Sequence, residues 1–599
     1  MQNKKKLIVF GMICVIALLA ASGAGVLALH GDKSNLIGTY GNGQPDNQPL
    51  VAQGFTPCTN GFAGTFPCSG IDLLSFLPHN TIGGGMGNDI WGWTDGLTGK
   101  EYALVGRTSG TSFVDISNPT APVYLGNLPT HNVNSIWRGI KVYKDHAFIV
   151  SEASGHGMQV FDLRQLRGVT APATFTETAY YNGFGKAHTL ALNEETGFAY
   201  AAGTGTCSGG LHIVDVREPT APAYAGCFAA DGYSHETQCV TYRGTDLEHR
   251  GKEICFNSNE DTLTIVDVTD KSATRQLARL PYDGARYTHQ GWLTEDGTHF
   301  LVDDELDEIR LGTKTRTHVL DVSDLDAPRY VGFHEHATPS IDHNLYIRGR
   351  YVYESNYTSG LRILRLDNAA TATMSEVGFF DVFPANDNAD FAGTWSNYPF
   401  FPSGTVIVNG IEQGLFVLRP TSLPTQTTLA PVADAYVKGA TPDANFGSAP
   451  DLQTKRTLNT GSGKGRQSYL RFDTSAMTGE VTRATLRVYG KLNATSANNR
   501  SLPCAVFPVS AEWTENALTW RNKPAPDVPS ELARVVVTDA LAQWYEFDIT
   551  GFINSERAAG RAVTGVLLRN MERGEVGDFY TLFNSREATT NQPQLVIEQ

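Results

Sequence analysis

The sequence predicts an all-β protein in which a seven-bladed β-propeller is followed by a β-sandwich of jelly-roll type. Three observations favour this fold class. A short strand phrase recurs with a period near fifty residues, the repeat ends after residue 419, and no convincing long amphipathic helix is found in the sequence. Units of several short strands at this period are typical of propeller blades, which bury their apolar faces only by stacking on neighbours around a closed circle.

The repeated phrase has two apolar residues, then a charged residue, and in six copies another aliphatic residue. The charged positions are separated by 47, 53, 52, 54, 44 and 54 residues. Five of them are aspartates, which we expect to bond backbone amides at strand ends. The seven copies begin at Phe113, Val160, Ile213, Ile265, Val319, Ile363 and Val417.

Changes of composition divide the 599 residues into segments, since a chain of this length exceeds one ordinary core. A stretch rich in Gly, Asn, Gln and Asp precedes the repeats and predicts a flexible stalk. A stretch rich in Pro and Thr follows them, and beyond it short alternating strands without the period predict the sandwich. The predicted order is a leader at 1–28, a stalk at 29–55, the propeller at 56–419, a linker at 420–431 and the sandwich at 432–599.

The N-terminus is typical of an export signal, with Lys4, Lys5 and Lys6 before the uncharged run 7–29. Residues 26–28 suit a signal peptidase, and residues 22–24 are the alternative cleavage site. The uncharged run is also long enough to span a bilayer if it stays uncleaved. We therefore expect a secreted or cell-surface protein that contacts the membrane, if at all, only through this N-terminal segment.

Charge and cysteine content narrow the classes of partner. The formal net charge of −15 argues against nucleic acid and anionic membranes as partners. In an exported chain, cysteines close in sequence favour disulfides, and no Cys-x-x-Cys unit suggests a thiolate metal site. Beyond the leader the expected pairs are Cys58–Cys68, Cys207–Cys227 and Cys239–Cys255, with Cys504 left over.

The span 56–419 resembles the choice-of-anchor B family of exported bacterial proteins, and its strand phrase Leu211-His-Ile-Val-Asp-Val resembles the LVIVD repeat. The resemblance implies a propeller at a bacterial surface or in the medium and assigns no activity. Further matching phrases are Trp137-Arg-Gly-Ile-Lys-Val-Tyr, His156-Gly-Met-Gln-Val-Phe-Asp-Leu, Asn259-Glu-Asp-Thr-Leu-Thr-Ile-Val-Asp, Thr288-His-Gln-Gly-Trp, Asp304-Glu-Leu-Asp-Glu, Ile341-Asp-His-Asn-Leu-Tyr and Gly393-Thr-Trp-Ser-Asn-Tyr-Pro-Phe-Phe.

The last domain is similar to the DNRLRE domain, which is related to carbohydrate-binding module family 96. The resemblance implies a jelly-roll sandwich, and some members bind acidic polysaccharide. The matching phrases are Asp434-Ala-Tyr, Asn445-Phe-Gly, Tyr469-Leu-Arg-Phe-Asp, Trp513-Thr-Glu-Asn-Ala-Leu-Thr-Trp, Asp548-Ile-Thr and Phe583-Asn-Ser-Arg-Glu.

Several side chains of this domain are candidates for carbohydrate binding. Trp544 could stack on a sugar ring, whereas Trp513 and Trp520 are expected in the core. Arginine can hold a uronate carboxylate through two parallel hydrogen bonds, and a purely structural role is the alternative. The candidate arginines are Arg471, Arg521 and Arg586.

Four histidines fall at matching positions of consecutive blades, where the chain enters the strand nearest the central channel. They are His188, His235, His289 and His343. With neighbouring carboxylates they could hold a divalent ion, either calcium or a transition metal. The alternative is a hydrogen-bonded ring in which each histidine caps its strand. The candidate acidic ligands are Glu236, Asp303, Asp304 and Glu305.

No Gly-x-Ser-x-Gly, His-Glu-x-x-His or phosphate-loop motif is present in the sequence, and we assign no catalytic residue. The predicted function is an exported, surface-associated binding or adhesion protein. Its propeller would be the recognition platform, and its sandwich would attach to extracellular polysaccharide or a surface protein. The alternative is a metal-assisted extracellular glycan hydrolase or lyase with its site at the channel mouth.

Overall fold

The structure is a computed structural model that describes residues 50–424, 426–457, 464–477, 479, 481–493, 501–538, 540–571 and 579–599. The chain divides into two compact units, Met1–Leu423 and Pro424–Gln599. The predicted leader and most of the predicted stalk lie outside the described residues. Among the residues that are described, no helix combines the length and the apolar character needed to cross a membrane.

Residues 50–424 form seven antiparallel sheets, so the predicted propeller is confirmed. Three strands precede the first blade: β1 (Phe62–Ala63), β2 (Phe66–Ser69) and β3 (Ile71–Pro78). Blade one contains β4 (Gly87–Thr94), β5 (Glu101–Arg107), β6 (Gly110–Asp115) and β7 (Val123–Pro129). Blade two contains β8 (Arg138–Tyr143), β9 (His146–Ser151), β10 (Met158–Asp162) and β12 (Ala179–Tyr181), while β11 (Ala173–Thr174) lies parallel to β7.

Blades three to five repeat this order. Blade three contains β13 (Thr189–Asn193), β14 (Phe198–Ala202), β15 (Leu211–Asp215) and β16 (Ala223–Phe228). Blade four contains β17 (Glu236–Thr241), β18 (Glu253–Ser258), β19 (Leu263–Asp267) and β20 (Arg275–Leu280). Blade five contains β21 (Thr288–Leu293), β22 (His299–Asp304), β23 (Arg316–Asp321) and β24 (Arg329–Glu335), with the short helix α1 (Asp307–Leu311) after β22.

The last two blades recruit the N-terminal strands. Blade six contains β25 (Asn344–Arg348), β26 (Tyr351–Ser355), β27 (Leu361–Asn368) and β28 (Thr373–Phe380), and β2 extends it by pairing with β28. Blade seven contains β29 (Thr394–Tyr398), β30 (Val406–Gly410) and β31 (Gly414–Pro420). Its fourth strand is β3, antiparallel to β31, so the N-terminal part of the chain closes the ring. Closure of this kind leaves no open edge between the first and last blades.

Each copy of the repeated phrase lies on the third strand of its blade, and it supplies apolar residues to the interfaces between blades. Phe113 of blade one, for example, stacks on Phe161 of blade two with ring centroids 4.7 Å apart. The five aspartates of the phrase each accept a hydrogen bond at 3.0 Å from the backbone amide two residues further on. They turn the chain at the end of the strand, which is a common use of aspartate.

The described residues of the second unit form the predicted sandwich. One sheet has the order β32 (Gln426–Leu429), β42 (Gln594–Glu598), β36 (Arg483–Leu492), β41 (Thr581–Asn584) and β34 (Asp451–Thr454), with β39 (Gln543–Asp548) also paired to β36. The other has the order β33 (Ala433–Lys438), β35 (Arg466–Asp473), β40 (Val563–Asn570), β37 (Leu502–Val509) and β38 (Ala533–Val537). Helix α2 (Thr550–Ala558) follows β39. Apolar side chains of both sheets share one core cluster.

The edges of the predicted segments differ from the structure in two places. Gln53, assigned to the stalk, exchanges two backbone hydrogen bonds with Phe76 of β3. Strand β32, assigned to the linker, pairs with β42 at the edge of the sandwich. Both segments are polar and lack a strand pattern, but an unpaired neighbouring edge supplies their backbone bonds.

All three predicted disulfides are present: Cys58–Cys68, Cys207–Cys227 and Cys239–Cys255. Cys239 and Cys255 face each other on β17 and β18 of blade four. Cys504 is a free, buried thiol in the sandwich.

Candidate functional site

The four aligned histidines form a contiguous arc at the centre of the propeller. His188, His235 and His343 immediately precede the first strands of their blades, and His289 is the second residue of β21. Their ring centroids follow one another at 4.0, 4.6 and 4.4 Å, from His188 to His343. All four are buried. We call this set the histidine arc.

One ring nitrogen of each histidine in the arc is held by a partner further from the channel. His289 Nδ1 lies 2.8 Å from the carbonyl oxygen of His343, and His343 Nδ1 lies 2.5 Å from that of Trp395. His188 Nδ1 lies 2.6 Å from a carboxylate oxygen of Glu152. Since carbonyl and carboxylate oxygens only accept, each of these Nδ1 atoms donates its hydrogen.

His235 reaches a carboxylate through a tyrosine. Its Nδ1 lies 3.1 Å from the Tyr287 hydroxyl, which donates to Glu260 at 3.0 Å. The tyrosine oxygen therefore accepts from His235 Nδ1–H. All four neutral imidazoles thus carry their hydrogen on Nδ1, and this leaves the Nε2 lone pair as the ligand atom.

Glu305 is the acidic candidate that the structure places against the arc. Its carboxylate oxygens lie 3.7 Å from His289 Nε2 and 3.7 Å from His343 Nε2, and the Tyr357 hydroxyl donates to it at 2.7 Å. The donor atoms of two trios lie within 4.8 Å of one another: His188, His235 and His289, and His289, Glu305 and His343. The two trios share His289.

The remaining acidic candidates are placed differently. Glu236 lines a cavity beside the arc together with His188, His289 and His343, and burial raises its pKa to about 7. Asp304 accepts hydrogen bonds from the amides of Arg286 and Tyr287, so it anchors the chain before β21.

Blade five also buries acidic groups around the arc that the sequence did not place there. Burial and the nearby Glu354 raise the pKa of Asp303 well above its ordinary value. Asp342, Asp307 and Glu308 are buried too, although the run 304–308 resembles a solvated loop in sequence. Within the described residues, neither carboxylate oxygen of Asp303, Asp307 or Glu308 has a hydrogen-bond partner.

In the sandwich, two of the three candidate arginines are held by the protein. Arg471 donates to the carbonyl oxygen of Trp513 at 2.5 Å and lines a cleft with the segment 511–518. Arg586 makes two 3.0 Å contacts with Glu515. Arg521 is exposed and pairs with Asp443. These arginines therefore do not converge on one free surface.

Trp544 lies on the outer face of the first sheet. Its neighbours Tyr545 and Phe547 belong to the core, so alternation along β39 turns Trp544 away from the core. The Tyr489 ring lies 5.5 Å from it and the Arg487 guanidinium 4.8 Å. Lys491, two residues further along β36, is exposed. We call Arg487, Tyr489, Lys491 and Trp544 the outer face patch.

Trp513 and Trp520 pack against the opposite sheet. Trp513 is buried in an apolar cluster with Tyr469 and Phe507, and Trp520 is half-buried against the same cluster. The cluster covers the outer side of the second sheet, so the long loop after β37 is part of the core of this domain. The expectation of a core position for both tryptophans agrees with this packing.

Sequence comparisons define the class of each domain. Residues 425–599 match the family model of carbohydrate-binding module family 96, and residues 99–130, which cover β5 to β7, match the LVIVD repeat. The chain therefore combines an LVIVD-repeat propeller with a module of this carbohydrate-binding family. The two matches and the disulfides support a carbohydrate-binding protein and are consistent with an extracellular location. No curated protein matches the chain.

Solved structures similar to this chain have low sequence identity. The β-propeller domain of Cps50 (Swd1) from Myceliophteria thermophila is 13% identical, with 53% of this chain and 93% of that chain covered and a TM-score of 0.35. The computationally designed Ika8 protein is 10% identical, with 61% and 97% covered and a TM-score of 0.37. A protein from Lactobacillus plantarum is 14% identical, with 54% and 89% covered and a TM-score of 0.36.

Proposed function

We propose that this protein is exported and attaches to an acidic extracellular polysaccharide through its C-terminal module. The observation that carries the proposal is the outer face patch on a domain that matches a carbohydrate-binding family. The patch presents two aromatic rings beside Arg487 and Lys491. Aromatic faces stack on sugar rings, and cations attract uronate carboxylates.

Charge favours a polyuronate over a neutral polymer at this surface. The outward side chains of β36 include Arg483, Arg487 and Lys491, so one strand carries three positive charges on its solvent side. Glu546 pairs with Arg487 at 2.8 Å and offsets part of this charge. Because the ion pair is at the surface, a polymer carboxylate can compete for the guanidinium at small cost.

The propeller would act as a recognition platform for a second surface component, as expected from the resemblance to exported choice-of-anchor B proteins. Binding to a wall or matrix polymer through the sandwich would hold the propeller at the cell surface. An N-terminal segment that stays uncleaved would add a membrane attachment.

Affinity electrophoresis of the full chain without its leader tests the attachment. We expect gels that contain alginate or pectin to retard the protein, whereas dextran gels do not. Trp544→Ala should lose most of the retardation, and Arg487→Ala should weaken it several-fold. Arg534→Ala is the matched control, since Arg534 also pairs at the surface with a glutamate, Glu531, but lies on the other sheet.

Two outcomes would overturn the proposal. Failure of every polymer in a broad acidic and neutral panel to retard the protein excludes polysaccharide attachment. Retardation that Trp544→Ala and Arg534→Ala change equally excludes the outer face patch as the binding surface. Release of new reducing or unsaturated ends by the full chain would instead support the alternative function, a glycan hydrolase or lyase.

A further inference from the structure

The histidine arc offers lone pairs in a fixed orientation, which distinguishes it from a set of merely adjacent histidines. In His289 and His343, a backbone carbonyl of the next blade accepts from Nδ1. A carbonyl cannot donate, so the neutral ring must keep its second nitrogen, Nε2, unprotonated. Metal-binding histidines in proteins are commonly oriented in this way by a carbonyl or carboxylate behind the ring.

The distances around Glu305 fit ligands of one cation better than hydrogen bonds. Both Nε2–oxygen separations are 3.7 Å, which is too long for a hydrogen bond. Metal–ligand bonds of about 2.0–2.2 Å at roughly tetrahedral angles place neighbouring ligand atoms about 3.4 Å apart. Small rotations of these three side chains would therefore bring all of them onto one ion.

The charge of the surroundings also favours a cation. Two neutral imidazoles and one carboxylate carry a single negative charge, and Asp303 lies close enough to Glu305 to interact with it electrostatically. Neither carboxylate oxygen of Asp303 has a hydrogen-bond partner among the described residues. Buried carboxylates of this kind are normally paired with a cation or coordinate one.

We propose that His289, Glu305 and His343 bind one divalent transition-metal ion at the centre of the propeller. Two nitrogen ligands and one carboxylate favour zinc or a similar ion over calcium, which prefers oxygen ligands. The site is separate from the outer face patch of the sandwich, so it extends the proposed function without depending on it. Its second shell is the set that fixes the ligands: the carbonyls of His343 and Trp395 and the Tyr357 hydroxyl.

Metal analysis of the tag-free full chain without its leader tests the site. After chelator treatment and dialysis against zinc, we expect one zinc ion per chain by elemental analysis and a higher unfolding temperature than in the chelator. Cobalt should replace zinc and give visible absorption bands, and calcium should not compete. His343→Asn and Glu305→Gln should each weaken zinc binding at least 100-fold.

The substitutions are chosen to separate ligation from packing. Asparagine at 343 keeps an N–H donor for the Trp395 carbonyl but removes Nε2. His188→Asn is the matched control: it keeps a donor for Glu152, lies outside the proposed ligand set, and should retain one zinc ion. Wild-type protein that takes up no zinc would overturn the proposal whether or not the variants fold. Loss of zinc in His188→Asn with retention in His343→Asn would also overturn it, because the ion would then be bound by the other trio.

Discussion

His289 Nδ1 lies 2.8 Å from the backbone carbonyl oxygen of His343, the residue that occupies the same position in the next blade. The contact recurs one blade further on, where His343 Nδ1 lies 2.5 Å from the carbonyl oxygen of Trp395. These side chains therefore connect three consecutive blades near the channel. The same rings offer their other nitrogen to the channel side, so interblade packing and ligand orientation are one arrangement.

The interblade bond can be measured apart from any metal. In protein treated with a chelator, His289→Ala should lower the free energy of unfolding by about 1–3 kcal/mol, because the buried His343 carbonyl loses its donor. His289→Asn retains an N–H donor close to the position of Nδ1 and should lose less than half of that amount. Urea unfolding followed by fluorescence gives both values, and equal losses in the two variants would contradict the assignment.

The sequence predicts the blades and the histidine arc for the same physical reason. Every blade repeats one strand phrase, so residues at a fixed distance from that phrase fall at the same place around the axis. His188 and His343 could be aligned in this way although they are 155 positions apart in numbering. The closing strand β3 has no copy of the phrase, and its place in blade seven follows only from the unpaired edge of β31.

Other parts of the site could not be predicted, because they depend on loops or on tertiary partners. Glu152 and Glu260 orient two histidines, yet they lie in segments with no repeat position. The sequence also gives no sign that Glu515 occupies Arg586. In β39, strand alternation identifies Trp544 as outward-facing only once Tyr545 is known to be in the core.

A buried ion pair joins blades three and four and should be important for stability. The Glu253 carboxylate accepts from Lys271 Nζ at 2.6 Å and from three side chains of blade three: Asn193, Thr196 and Tyr200. Lys271→Met keeps the apolar stem but leaves a buried carboxylate without its cation. We expect a loss of about 2–4 kcal/mol in the free energy of unfolding, measured by urea titration.

Lys252→Met is the matched control for this substitution. Lys252 pairs with Asp267 at 3.6 Å, and its side chain is 31% exposed, against 11% for Lys271. A pair at the surface contributes at most about 1 kcal/mol. Similar losses in the two variants would show that burial of Glu253 does not determine the effect.

The disulfide pattern predicts how many thiols react. In the folded protein without its leader, a thiol reagent should detect none, since Cys504 is buried and burial raises its pKa to about 12. In denaturant without reductant, one thiol per chain should react. A chain that keeps its leader should give two, because Cys14 lies in that segment. Three or more reactive thiols would mean that at least one of the three bridges is not formed.

The stability of the sandwich should fall as pH rises, because it buries a carboxyl group. Burial raises the pKa of Asp434 from its ordinary value of 3.8 to about 8, although the Arg586 backbone amide donates to it at 2.8 Å. Between these two values the unfolded chain has lost the Asp434 proton while the folded domain retains it. The folded state therefore binds more protons, and the contribution of Asp434 to stability decreases from about pH 4 until the folded group ionises near pH 8.

Asp434→Asn removes this dependence, because an amide is neutral in both states and its oxygen can still accept from Arg586. We expect the variant to be more stable than the wild type by about 1–3 kcal/mol at pH 8, with the difference shrinking towards pH 5. Asp473→Asn is the control with the opposite sign, since the Ser475 hydrogen bond holds the pKa of Asp473 below its ordinary value. It should therefore be no more stable than the wild type at pH 8. Calorimetry of the full chain without its leader, from pH 5 to pH 8, measures all three proteins. A wild type and an Asp434→Asn variant whose unfolding temperatures stay parallel over this range would contradict a buried, protonated Asp434.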